Sequence, residues 1–139
     1  MVKYRITGLL EVSGRGENDD ALLLNDYKIV EQQLDGTWEI FEEYEQDPLA
    51  EIFEDMFELR DVTIKYFLTQ EPKTWDQVIG DHIKHVIGLV SAEYQDHYSE
   101  YTGYLWTDEK LLVGGHNLLK ELWSKAQDPI FLMMEVDVK

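Results

Sequence analysis

At 139 residues without cysteine, the chain predicts one domain (1-139) with a sizeable core, and it excludes a disulfide framework and thiolate metal sites. A formal charge of -17 disfavours direct contact with phosphate backbones or anionic lipid heads and favours a basic partner. No apolar run approaches the ~20 residues of a membrane helix, and the N-terminus lacks an apolar signal core, so the expected location is a reducing cytoplasm.

Lys3 to Val12 alternates strictly, with Tyr4, Ile6, Gly8, Leu10 and Val12 on one face, and predicts a strand. The small and polar run Ser13 to Asp20 predicts a loop. Its Gly14 and Gly16 make a poor phosphate cradle, because acids surround them and no Gly-Lys-Ser/Thr follows. Ala21 to Gln33 reads either as a short helix or as a strand. Asp35-Gly36, a tight-turn dipeptide followed by alternation at Trp38, Ile40, Glu42 and Tyr44, favours a hairpin, with Glu39, Glu43 and Glu45 on one side of its second strand.

Asp47-Pro48 predicts a helix start with Asp47 as N-cap and Pro48 at the first helical position. Leu49, Ile52, Phe53, Met56 and Leu59 form an apolar stripe, and Glu51, Glu54, Asp55 and Glu58 repeat on the opposite side. Like charges at i,i+4 each destabilise a helix by about 0.2–0.5 kcal/mol, which a helix selected only for stability would relieve with Lys.

Val62 to Leu68 predicts a strand. Thr74-Trp75-Asp76-Gln77 reads as a capping box opening a helix through Trp75, Val78, Ile79, His82, Ile83 and Val86, ending near Gly88. Two strands are expected over 89–97 and 100–106, with Thr107-Asp108-Glu109 turning the chain. His116 or Asn117 caps a helix carrying Leu118, Leu119, Leu122, Trp123 and Ala126, and Ile130 to Val138 forms a central strand apolar on both faces in its first half. The expected fold class is α+β: a mixed or antiparallel sheet of about four to six strands with about three helices.

Glu17 to Asp61 holds sixteen acids against Lys28 and Arg60, so this insertion carries -14 of the -17. Trp38, Phe41, Tyr44, Phe53 and Phe57 within it argue for a folded acidic surface rather than a disordered tail. Its expected partner-binding residues are Glu39, Glu42, Glu43, Glu45 and Asp47 on the strand and Glu51, Glu54, Asp55 and Glu58 on the helix. Carboxylates one helical turn apart lie about 5.4 Å from each other and those on one strand face about 6.7 Å. Rows on that scale can occupy a Lys/Arg groove that otherwise holds phosphates. The bland reading is that the acids only confer solubility.

No catalytic motif stands out. His82 and His85, three apart on the expected helix, are the one metal-site alternative, with His97 and His116 as further ligands. No His-Glu-x-x-His pattern supports it, so neither metal nor cofactor is expected. The tyrosines from Tyr94 to Tyr104 lack the interleaved cations of a nucleic-acid groove and fit a core or a protein interface, including edge pairing of two copies into a homodimer.

The charge layout of Glu17 to Asp61 resembles the small acidic DNA-mimic inhibitors of phages and mobile elements, among them anti-restriction and anti-CRISPR proteins. Gly103 to Glu109 and Gly114 to Leu119 also look like segments of small prophage accessory proteins. The first resemblance implies a non-enzymatic inhibitor in a bacterial cytoplasm, blocking the channel of a basic nucleic-acid-binding protein such as a CRISPR effector or restriction nuclease. It transfers no residue roles. A prophage protein-interaction module or a small metal-dependent enzyme using His82 and His85 are the alternatives.

Overall fold

The computed structural model describes residues 2–14, 20–78 and 84–139. The elements are β1 (Val2–Gly14), β2 (Asp20–Gln32), β3 (Trp38–Pro48), α1 (Leu49–Phe57), β4 (Asp61–Thr69), α2 (Trp75–Val78), β5 (Lys84–Tyr98), β6 (Leu105–Val113), β7 (His116–Asn117), α3 (Leu118–Lys125) and β8 (Ile130–Val138). All strand pairs are antiparallel, in the order β3-β2-β1-β8-β4-β5-β6-β7. The α+β expectation of about four to six strands is therefore overturned: among the described residues eight strands form one antiparallel sheet, with three helices of four to nine residues.

The alternation in β1, β4 and β8 does what period two requires. Ile6, Leu10, Val62, Ile64, Leu132, Met134 and Val136 all lie in the core. β8 sits between β1 and β4, as its apolar character predicts. The Asp35-Gly36 hairpin forms, with Gly36 in the left-handed region (φ 89°) and Asp35 Oδ1 accepting from the Thr37 amide and hydroxyl at 3.0 and 2.6 Å.

The expected helix over 75–86 is corrected. Among the described residues the helix covers Trp75–Val78, and the chain is a strand from Lys84, so the helix does not reach Val86. The helical spacing of Trp75, Val78 and Val86 competes with the alternation His85, Val86, Ile87, and pairing of 84–89 with Asp61–Tyr66 decides it. Ile79 to Ile83, and with them His82, lie outside the described residues, as do Arg15 to Asp19 of the first loop. The expected strands 89–97 and 100–106 become β5 and β6. The supposed turn Thr107-Asp108-Glu109 lies inside β6, where Thr107 and Asp108 pair with Asp96 and Gln95.

β5 changes neighbours midway: Lys84–Leu89 pairs with β4, and Val90–Tyr98 with β6. At the changeover Gly88 (φ 144°) packs on Gly114. A Cβ on Gly88 would stand 2.3 Å from the Gly114 Cα, so the two backbones meet only because both side chains are absent. The half of the β5–β6 pair next to this changeover adds Val90, Ala92, Leu111 and Val113 to the core that also takes Phe53 and Phe57 of α1 and Leu118 and Leu122 of α3.

A candidate acidic interface and a basic aromatic groove

β3 is the edge strand of the sheet, pairing only with β2 among the described residues, and it runs directly into α1. Glu39, Glu42, Glu43, Glu45 and Asp55 are exposed. Exposed Ile40, Phe41 and Tyr44 are interspersed with the strand's acids. The acids do not form the expected single row. Ile40 faces Val30 and Glu42 faces Ile29, so Phe41 is an extra residue, a bulge that reverses the alternation. Glu39 and Glu42 consequently share one face, and Glu43, opposite Lys28, lies on the other.

Four of the nine expected contact residues are partly buried, and structural work occupies several of them. Asp47 makes no N-cap bond. The helix opens from Pro48 without a side-chain cap, and Asp47 Oδ2 accepts from the Tyr27 hydroxyl at 2.5 Å. Glu42 Oε1 accepts from the same hydroxyl at 3.3 Å, and burial together with these carboxylates raises the Tyr27 phenol above its ordinary range. Glu58 Oε2 accepts from the buried Ala92 amide at 2.5 Å, tying the end of α1 to β5. Glu51 and Glu54 are half-buried, and Glu51 is engaged with a neighbour. The carboxylates left to solvent are chiefly Glu39, Glu43, Glu45 and Asp55, with Lys28 only 3.9 Å from Glu43.

The metal alternative loses its helical basis, because His85 is exposed on β5 opposite Lys65. His97 Nε2 lies 2.7 Å from Asp108 Oδ2, and His116 Nε2 lies 3.0 Å from Glu121 Oε2. Among the described residues no three His, Asp or Glu side chains converge as metal ligands. At the β5–β6 tip His97, Trp106 and Tyr104 stack, and Tyr98, Tyr101 and Tyr104 are exposed.

Sequence reading missed two arrangements. On the sheet face turned from the core, Val30, Arg5, Glu135, Lys65 and His85 form one cross-strand row over five strands. Arg5 Nε donates to Glu135 Oε2 at 3.1 Å, while its guanidinium carbon lies 4.2 Å from the Trp38 ring and 4.4 Å from the Trp75 ring. No spacing in the chain brings residues 5, 38, 75 and 135 together. The second arrangement is Glu109 on β6, which accepts a hydrogen bond from the Leu22 amide of β2 and keeps its Oε1 buried without a partner among the described residues. Burial, opposed by that bond and reinforced by Asp96, pushes its carboxyl up to about 7.

The structure thus defines an antiparallel β-sheet protein with an acidic edge and a separate groove of cations and indoles. No family model, curated protein or solved structure matches the chain. Among the described residues no helix is long and apolar enough to cross a membrane.

Proposed function

We propose that the chain is a non-enzymatic inhibitor whose β3–α1 edge occupies the nucleic-acid channel of a basic host protein, such as a CRISPR effector or restriction nuclease. The observation carrying this reading is that the exposed carboxylates Glu39, Glu42, Glu43, Glu45 and Asp55 lie along an edge strand, unpaired on its outer side among the described residues, and the helix that continues it. A free edge offers unpaired donors and acceptors, and interspersed Ile40, Phe41 and Tyr44 offer apolar contact, so a basic groove meets more than diffuse charge. The bulge presents acids on both sides of the strand, which suits insertion into a channel better than docking on a flat surface.

The test takes basic nucleic-acid-binding proteins captured from a bacterial lysate and measures how far wild type displaces their nucleic acid. The comparison protein carries Glu39→Gln, Glu43→Gln, Glu45→Gln and Asp55→Asn, at two salt concentrations, with circular dichroism confirming folding. Inhibition at least about tenfold weaker in the variant, and a wild-type potency that falls steeply with salt, is expected for counterion-coupled contacts. Equal potency of the two proteins, insensitive to salt, refutes the reading.

A further inference from the structure

We infer that the groove around Arg5 is a binding site for a small oxyanion, a carboxylate or phosphate carried on a flat apolar body. This inference is independent of the acidic edge. Arg5 stands on β1 with an indole near its guanidinium from each of two other elements, Trp38 of β3 and Trp75 of α2. Aromatic rings this close to the cation restrict the approach of water and leave in-plane hydrogen bonding as its main outlet. Glu135 takes the Nε donor. The two terminal nitrogens have no acceptor among the described residues. A guanidinium flanked by two indoles, whose outer donors meet no acceptor among the described residues, can grip a planar oxyanion by two parallel bonds.

The surroundings supply space and a second charge. A cavity of about 310 Å³ is lined by Arg5, Thr7, Lys28, Val30, Trp38 and Trp75. A neighbouring cavity of about 280 Å³ shares Thr7 and Trp75 and adds Lys73 and the apolar side chains of Pro72, Phe131 and Met133. Lys28 is held by Glu43 only at 3.9 Å, so an incoming anion can draw it away. Glu135 faces Lys3 as well as Arg5, at 3.4 and 3.1 Å, and its charge is already answered. The indoles and Val30 would hold the ligand's ring, and Thr7 offers a hydroxyl. Asp26 lines the second cavity, not the first, which places the anionic end at Arg5 and Lys28 and the apolar body toward Trp75.

The experiment uses the full chain with Trp106→Phe and Trp123→Phe, so that indole fluorescence reports only Trp38 and Trp75. Benzoate, phenyl phosphate, inorganic phosphate and uncharged benzyl alcohol are titrated separately. Expected is a saturable change with at least one aryl anion, with benzyl alcohol at least about tenfold weaker because it lacks the charge-assisted bonds. Whichever of benzoate and phenyl phosphate binds more tightly identifies the headgroup, and inorganic phosphate shows what the ring adds. Arg5→Lys keeps the charge but loses the planar fork and should weaken binding at least about tenfold. Lys28→Gln should weaken it while leaving the melting curve unchanged, and it serves where Arg5→Lys disturbs folding. No saturable change with either aryl anion, equal binding of benzyl alcohol, or wild-type affinity in folded Arg5→Lys and in Lys28→Gln each overturns the inference.

Discussion

Two populations of carboxylate differ in everything but formal charge. Along β3 and α1, Glu39, Glu43, Glu45 and Asp55 stand in solvent. Where α1 and β6 approach their neighbours, Glu58 and Glu109 instead satisfy backbone amides that the sheet leaves over, those of Ala92 and Leu22. Pairing with β3 extends along β2 only to Leu23, opposite Pro48, so the Leu22 amide needs another acceptor, and Glu109 reaches it from β6. An acid count therefore measures the field around the molecule. It does not say which acids the fold requires.

The sharpest way to separate the two populations is to truncate one acid of each at the end of α1, Asp55 within the helix and Glu58 just after it. Glu58→Ala strands the buried Ala92 amide and should cost about 1–3 kcal/mol, the usual penalty for an unsatisfied buried donor. Asp55→Ala should leave stability within about 0.5 kcal/mol. Glu58→Gln keeps an acceptor oxygen and should recover most of the loss. Urea midpoints of the three variants check this, and equal midpoints for Glu58→Ala and Asp55→Ala would erase the distinction.

A second effect is expected at Glu109, through pH. Its folded carboxyl is pushed up to about 7 from an ordinary 4.5, so the folded state binds the proton more tightly than the unfolded one. The folded state's preference is complete below about 4.5 and is lost as pH rises through about 7. The neighbouring acid is Asp96, which accepts from Tyr94 and Thr107 at 3.0 Å and adds repulsion to an ionised Glu109. Glu109→Gln should abolish this component, so the stability difference between variant and wild type should grow from pH 4.5 to 8. A constant difference across that range in thermal melts would mean that Glu109 does not titrate there.

Legibility in the sequence follows the range of the interaction. The local signals at β1, the Asp35-Gly36 turn, the apolar stripe of α1 from Leu49 to Met56, and the cap of α3, where Asn117 Oδ1 accepts from the Lys120 amide at 3.0 Å, could all be read, but Leu59, expected in that stripe, lies beyond the helix and is exposed. What failed was long-range. The strand starting at Lys84 depends on β4, and the strand identity of Thr107 to Glu109 depends on β5, so turn-like residues gave the wrong sign locally. At the acidic edge, composition located the charge, but a one-residue bulge at Phe41 redistributed it over two faces. The Arg5 groove was invisible because its residues come from β1, β2, β3 and α2.

The smallest expected change is the one that isolates the solvated acids from folding altogether. Glu39, Glu43, Glu45 and Asp55 stand in solvent, and Lys28 lies 3.9 Å from Glu43 with both side chains about half exposed (48 and 57%). Such a pair contributes about 0–1 kcal/mol, while removing four negative charges from a chain of -17 relieves self-repulsion of similar size. The combined Glu39→Gln, Glu43→Gln, Glu45→Gln and Asp55→Asn variant should match wild-type stability within about 0.5 kcal/mol at physiological salt. At low salt, where repulsion is less screened, it should become the more stable of the two. Melting both proteins across a salt series tests this directly. A variant that loses stability at every salt concentration would mean that the edge acids hold the fold together, as Glu58 does, and a loss of inhibition in the same variant would then report misfolding rather than a missing contact.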